Sequence, residues 1–177
     1  FNTISIISGT GYVSSNFEQW GNYASVLFLL LMFIGGCAGS TTGGLKIFRF
    51  QILFKFIHLH LKKMLQPHIV MTARFNGKKV TESTYESVVI FFFVYIITFA
   101  ASALLLSFSG LDFLTCISGA ASAISNVGPG LGDIIGPEGN YSSLSNYSKL
   151  VLILTMFLGR LEMLTIFVLI LPSFWKN

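Results

Sequence analysis

Two short stretches carry the residue types that backbone chemistry at an ion requires. Ser8-Gly9-Thr10-Gly11-Tyr12 and Ser125-Asn126-Val127-Gly128-Pro129-Gly130 are glycine-rich and contain no Asp or Glu. Carbonyl oxygens can replace water around a desolvated cation and select by geometry and field strength. Such a site needs side chains kept off its axis and at least one residue in an unusual φ/ψ region, which glycine adopts without steric cost. Gly9, Thr10 and Gly11, with Asn126, Val127 and Gly128, are therefore candidates to ring a monovalent cation. The lack of carboxylates argues against a divalent-cation site, which takes charged oxygen ligands. Solvent-side turns, using glycine for turn chemistry, would be spelled in the same way.

A second constellation follows the first stretch. Residues 35–44 read GGCAGSTTGG, with no bulky side chain, inside an otherwise apolar run. Glycine at Gly35, Gly36, Gly39, Gly43 and Gly44 makes a stable helix there untenable. Unwound backbone at membrane depth, with the hydroxyls of Ser40, Thr41 and Thr42, suits an ion site or a gate. A packing patch of small residues is the competing explanation. A phosphate-binding loop is not, because Leu45 stands where that motif needs lysine. Arg160 is the third feature, an ionisable residue inside an apolar run, where such residues face a cavity or a partner. A rise of about 1.5 Å per residue puts Arg160 and the 35–44 segment at roughly one depth, so together they are candidates for a constriction.

The elements that must position these residues follow from composition. The chain has 177 residues, 53% hydrophobic and 10% charged. Soluble domains average roughly 25% charged, so membrane-embedded protein is the class left. Three runs approach the ~20 apolar residues a spanning helix needs. They are an inner helix over 22–57 broken at 35–44, an outer helix over 87–108, and an inner helix over 147–171. Residues 111–124 are too short to span and end at a Gly/Pro break, as a re-entrant pore helix would. Eight of the eleven Lys and Arg residues lie between Lys46 and Lys79. A basic loop over 59–82 should therefore be cytoplasmic, and apolar flanks on both sides argue against nucleic acid as its partner. His58 and His60 are solvated loop residues on this reading, and no nucleophile–base arrangement points to an enzyme.

Setting Gly11 opposite Gly128 pairs Ser5, Ile7 and Ser8 with the identical Ser122, Ile124 and Ser125. The expected organisation is all-α, with helix–pore-loop–helix repeats around a central ion pore. Residues 1–58 end one repeat, with its loop at 8–13, and residues 83–177 form the next, with its loop at 126–130. Two units cannot close a ring. With no start methionine before Phe1, the chain reads as a piece of a longer polypeptide.

The stretches GGCAGSTTGGLKIFRF, NVGPGLG and GRLEMLTIF, in that order, resemble the Trk/Ktr/HKT superfamily of potassium transporters. The Asn-Val-Gly-Pro-Gly spelling resembles its TrkH type more than the sodium-linked Ktr type. The resemblance covers nearly the whole chain and implies four repeats, of which these are the end of the third and all of the fourth. It implies that Gly11 and Gly128 belong to one potassium filter, that 35–44 is an intramembrane gating loop, and that Arg160 faces the pore. It also implies a homodimer in the bacterial inner membrane, a cytosolic nucleotide-binding regulatory subunit of the TrkA kind, and no cofactor. The basic segment would meet that subunit or anionic membrane lipids. A secondary transporter of another solute, with the broken helix as substrate site, is the alternative.

Overall fold

The apolar runs become helices. In a computed structural model, residues 1–37, 39–40, 42–66, 74–75, 78–79 and 82–161 are described. Along the chain α1 (Asn2–Ile7), α2 (Asn22–Phe33), α3 (Ile47–Leu65), α4 (Glu82–Ser107), α5 (Phe113–Ser125) and α6 (Asn146–Arg160) follow one another. The only strands among the described residues are two-residue pairs. β1 (Ile34–Gly35) runs parallel to β2 (Leu45–Lys46), and β3 (Arg74–Phe75) antiparallel to β4 (Lys78–Lys79). Thr41, most of residues 67–81, and the expected inner helix beyond Leu161, including Glu162, lie outside the described residues.

Helix α5 is the hub, with α4, α6 and α2 packed around it. Apart from Ile124, its buried side chains are small, among them Ser118, Ala120, Ala121, Ser122, Ala123 and Ser125. Hydroxyls link the layers. Tyr95 Oη meets Ser125 Oγ at 2.7 Å, and Ser102 Oγ meets Thr155 Oγ1 at 2.9 Å. Large apolar side chains point the other way, with Phe93, Leu104 and Ile153 each more than 60% exposed. Small and hydroxyl residues inside, with Leu, Ile and Phe outside, is the packing expected when lipid surrounds the bundle. Ser83–Ser107 is long and apolar enough to cross a membrane.

The helix boundaries differ from the expected ones for identifiable reasons. The outer helix starts at Glu82, because the polar turn ahead of the apolar run contains no helix breaker. Helix α5 starts at Phe113, where Asp112 Oδ2 accepts the Thr115 N–H at 3.2 Å as an N-cap. Hydrogen bonding from Thr115 holds this exposed carboxyl below its usual range, so the cap is intact at neutral pH and is lost as pH falls through that depressed value. Helix α3 runs through Lys62 and Lys63 to Leu65, into what charge alone marks as a loop from residue 59. Pro67 is the first breaker, and Gln66 before it sits at φ −135°, ψ 84°, away from the helical region.

Candidate functional site

The two glycine-rich loops have the same backbone. The Thr10 N–H donates to Ser5 O at 2.9 Å, and the Val127 N–H donates to Ser122 O at 3.0 Å. The Gly9 N–H reaches Ile6 O at 3.1 Å, and the Asn126 N–H reaches Ala123 O at 3.1 Å. Left-handed backbone recurs in the same places, at Gly9 (φ +68°) and Asn126 (φ +54°). Asparagine tolerates that region better than most residues. Beyond each loop, Ser14 and Leu131 donate their N–H groups to a polar side chain of the preceding helix, Asn2 Oδ1 at 3.0 Å and Ser118 Oγ at 2.9 Å. The internal match read from the sequence is thus also a match in hydrogen bonding.

The loops also meet. A Cβ placed on Gly11 would overlap the Val127 carbonyl oxygen and lie 3.2 Å from Pro129 Cδ. One placed on Gly9 would lie 3.7 Å from the Asn126 carbonyl oxygen. The Val127 carbonyl therefore occupies space that only the missing side chain of Gly11 leaves, and the Asn126 carbonyl lies at ordinary contact distance from the Cβ position of Gly9. Both lie just past the C-terminal end of α5, where the helix dipole favours a cation. The Thr10 hydroxyl is turned to Ser8 Oγ at 2.6 Å, and the Asn126 amide donates to Met156 O at 3.2 Å, tying its loop to α6.

The segment between α2 and α3 sits against both loops. Its ends are pinned by Ile34 pairing with Leu45 and Gly35 with Lys46. Thr42 Oγ1 donates to the Ser8 carbonyl at 3.0 Å and accepts from Ser40 Oγ at 2.6 Å. Gly43 is so close to Ser125 that a Cβ would collide with its carbonyl, and Gly36 faces the Ser40 and Thr42 hydroxyls. Gly35 abuts the Gly43 carbonyl, Gly44 (φ +75°) turns the chain back, and Gly39 (φ +85°) has open space around it.

On the other side of this segment, Arg160, Gly159, Lys46 and Arg49 join Ser40, Thr42, Gly43, Gly44 and Phe91 around a cavity of about 160 Å³. The Arg49 guanidinium lies 3.6 Å over the Phe91 ring. Arg160 is exposed at the end of α6, bordering that cavity. The inner helices explain why it meets the segment. Asn16 and Asn140 each cap a short 3-10 turn, and from those caps onward Asn22-Tyr23 stands opposite Asn146-Tyr147 and Met32-Phe33 opposite Met156-Phe157. In that register Gly35 matches Gly159, and Arg160 takes the place of Gly36, where the other helix breaks.

A family model described as TrkH, cation transport protein, matches residues 1–176. The chain belongs to that family. The Trk system potassium uptake protein TrkI of Halomonas elongata is 46% identical over 177 residues, which is 100% of this chain and 36% of that protein. TrkH of Escherichia coli K12 is 35% identical over the same length, again 36% of its own chain. The crystal structure of the potassium transporter TrkH from Vibrio parahaemolyticus matches with a TM-score of 0.87 at 34% identity, covering 97% of this chain and 36% of that one. The chain thus spans about a third of the length of the relatives it matches. These relatives are named as uptake proteins and not as enzymes, and Trk transporters are membrane proteins, in keeping with the inside-out packing of this TrkH-family fold.

Several residues of the site escape a reading of spacing and charge. Lys46, at the extended N-cap of α3, and Arg49, in its first turn, both counted there with the basic segment, line the cavity. Glu18 is another. The Gly132 N–H donates to Glu18 Oε1 at 2.7 Å, bridging the two loop regions, and Glu18, Asp133 and Glu138 border a second cavity of about 180 Å³ at the Asp112 end of α5. Hydrogen bonds to charged groups are worth about 1.5–3 kcal/mol, and partial exposure reduces that. Glu18→Ala should therefore destabilise the full-length protein by roughly 1–2 kcal/mol, read as a lower melting temperature in detergent. An unchanged melting curve would mean the bridge contributes nothing.

Proposed function

We propose that the full-length protein containing this chain takes up potassium across the bacterial inner membrane through a carbonyl-lined filter. Gly9, Thr10 and Gly11, with Asn126, Val127 and Gly128, supply two sides of it, and two further repeats complete the ring. The observation that carries this reading is the approach of Gly11 to the Val127 carbonyl, which brings two matching loops together with no side chain between them. The potassium uptake named for relatives spanning the whole chain supports it.

Residues 35–44 act as the gate beneath the filter, with Arg160 beside them, and the cations Lys46, Arg49 and Arg160 oppose ion passage until the segment moves. The carboxylates around the cavity at the Asp112 end concentrate cations at the entrance. The full-length protein forms a homodimer regulated by a cytosolic nucleotide-binding subunit of the TrkA kind, and the basic end of α3 faces that subunit or anionic lipid. Vesicles carrying the full-length protein should take up rubidium or potassium in preference to sodium. Uptake that does not distinguish these ions, or none above empty vesicles, would refute the filter.

A further inference from the structure

The two loops share their first hydrogen bonds, yet they differ in what holds Gly11 and its counterpart Gly128. At Gly128 both sides of the residue are engaged. Its N–H donates to Ser122 Oγ at 3.1 Å, and its carbonyl oxygen accepts the Tyr141 hydroxyl at 2.5 Å. Gly128 has φ +113°, where L-residues rarely go, so nothing in its own side chain stops the peptide from turning. The Tyr141 ring packs on the cluster around Leu106 and Ile135. Its 3-10 turn is capped by Asn140 Oδ1, which accepts the Ser142 N–H at 3.0 Å, and is tied to α6 by Lys149 Nζ donating to Ser142 O at 2.7 Å. The hydroxyl is thus delivered from a braced turn to a carbonyl that is otherwise easy to rotate.

The other loop has no hydroxyl at that position, and the Gly11 N–H donates instead to the Ser5 carbonyl at 3.3 Å. Counted from the capping asparagines, Phe17 stands where Tyr141 does, fully buried and stacked on Phe28 at 4.0 Å between ring centroids. Ser5, the counterpart of Ser122, has a buried hydroxyl with no hydrogen-bond partner among the described residues. One molecule therefore contains both versions of the arrangement, with the hydroxyl and without it.

We infer that Tyr141 is a positioning residue for ion selection: its hydroxyl fixes the direction of the Gly128 carbonyl and makes the filter stiffer on this side than on the Phe17 side. This rests on the reading of the loops as a potassium filter. A carbonyl has two lone pairs, so one hydrogen bond sets its direction and leaves the other free for an ion. A cage that cannot close around a smaller ion discriminates against sodium. A cage released from its brace closes more easily.

The test uses the full-length protein in vesicles, with potassium and sodium uptake measured over a concentration series. Tyr141→Phe removes one hydroxyl and keeps the ring. Losing a hydrogen bond of ordinary net strength should lower the potassium-over-sodium preference by roughly three- to tenfold, with maximal potassium uptake largely kept. Gly110→Ala, outside both loops and the Tyr141 turn, should leave the preference unchanged. An unaltered preference in Tyr141→Phe, or an equal fall in Gly110→Ala, overturns the inference. If Tyr141→Phe does not reach the membrane, Ser122→Ala frees the other side of Gly128 and should show the same fall, an unaltered preference again overturning it. Failure of the filter reading itself would look different, because the wild-type protein would then show no preference to lose.

Discussion

Gly11→Ala should reduce potassium uptake by the full-length protein about a hundredfold or more, a loss typical of misplacing a functional group by about 1 Å. Two costs coincide at this residue. Its φ of +76° is left-handed, which costs an L-residue roughly 1–2 kcal/mol. The added methyl would also occupy the position of the Val127 carbonyl oxygen, so that oxygen or the Gly11 backbone must move. A carbonyl that replaces hydration works only where it stands, so the displacement falls on transport more than on folding. Gly128→Ala is the informative contrast. A Cβ there meets only Gly11 Cα at 3.9 Å, an ordinary contact, leaving backbone strain alone, and its loss of uptake should be visibly smaller. Gly110→Ala, at φ +72° with nothing within 4 Å, controls for strain outside the site and should transport normally. Uptake assays at matched membrane abundance decide the matter, and near-normal transport by Gly11→Ala would show that the Val127 carbonyl does not need its place.

Much of this arrangement can be read from residue types. Membrane class follows from the scarcity of charge, and the glycine spacing in the two loops is matched by identical hydrogen bonds to Ser5 and Ser122. The broken helix is legible because no residue between Gly35 and Gly44 can hold it together, although its end-to-end pairing through Ile34 and Leu45 is not, since two-residue strands have no sequence signature. Helix α3 outran the expected boundary because charge marks the side of a membrane, not the end of a helix, and Pro67 was the stronger signal. The match between the inner helices was present as Asn-Tyr and Met-Phe pairs, hidden by the longer stretch between Gly128 and Asn140 than between Gly11 and Asn16. It is this register that accounts for Arg160, which spacing along one helix could place only in depth. Tyr141 left no signal at all. Its role depends on a turn that folds back to Gly128, and nothing in the spacing of a lone tyrosine reveals such a contact.

Shortening the segment beneath the loops should raise potassium uptake, because the structure holds it there by few and separable contacts. The Thr42 hydroxyl on the Ser8 carbonyl is one ordinary hydrogen bond, worth about 0.5–1.5 kcal/mol net. If that bond sets the balance between a seated and a withdrawn segment, Thr42→Val should increase uptake roughly two- to tenfold. Removing residues 37–43 takes away the remaining contacts and should increase it further. The deletion leaves enough chain to close. Gly35 and Leu45 are then the residues to be joined, diagonal neighbours across strands about 4.8 Å apart. The retained Gly36 and Gly44 span that distance at about 3.8 Å per residue once the short parallel pair is given up. Arg160→Ala acts from the cavity on the other side of the segment and should also raise uptake by removing a positive charge from the path. The two changes can be told apart by combination. A gate made of the segment and the arginine together gives a double variant little faster than the deletion alone, whereas independent barriers multiply. Unchanged uptake after the deletion, with the protein present in the membrane, would mean that residues 35–44 are packing and that the barrier lies elsewhere.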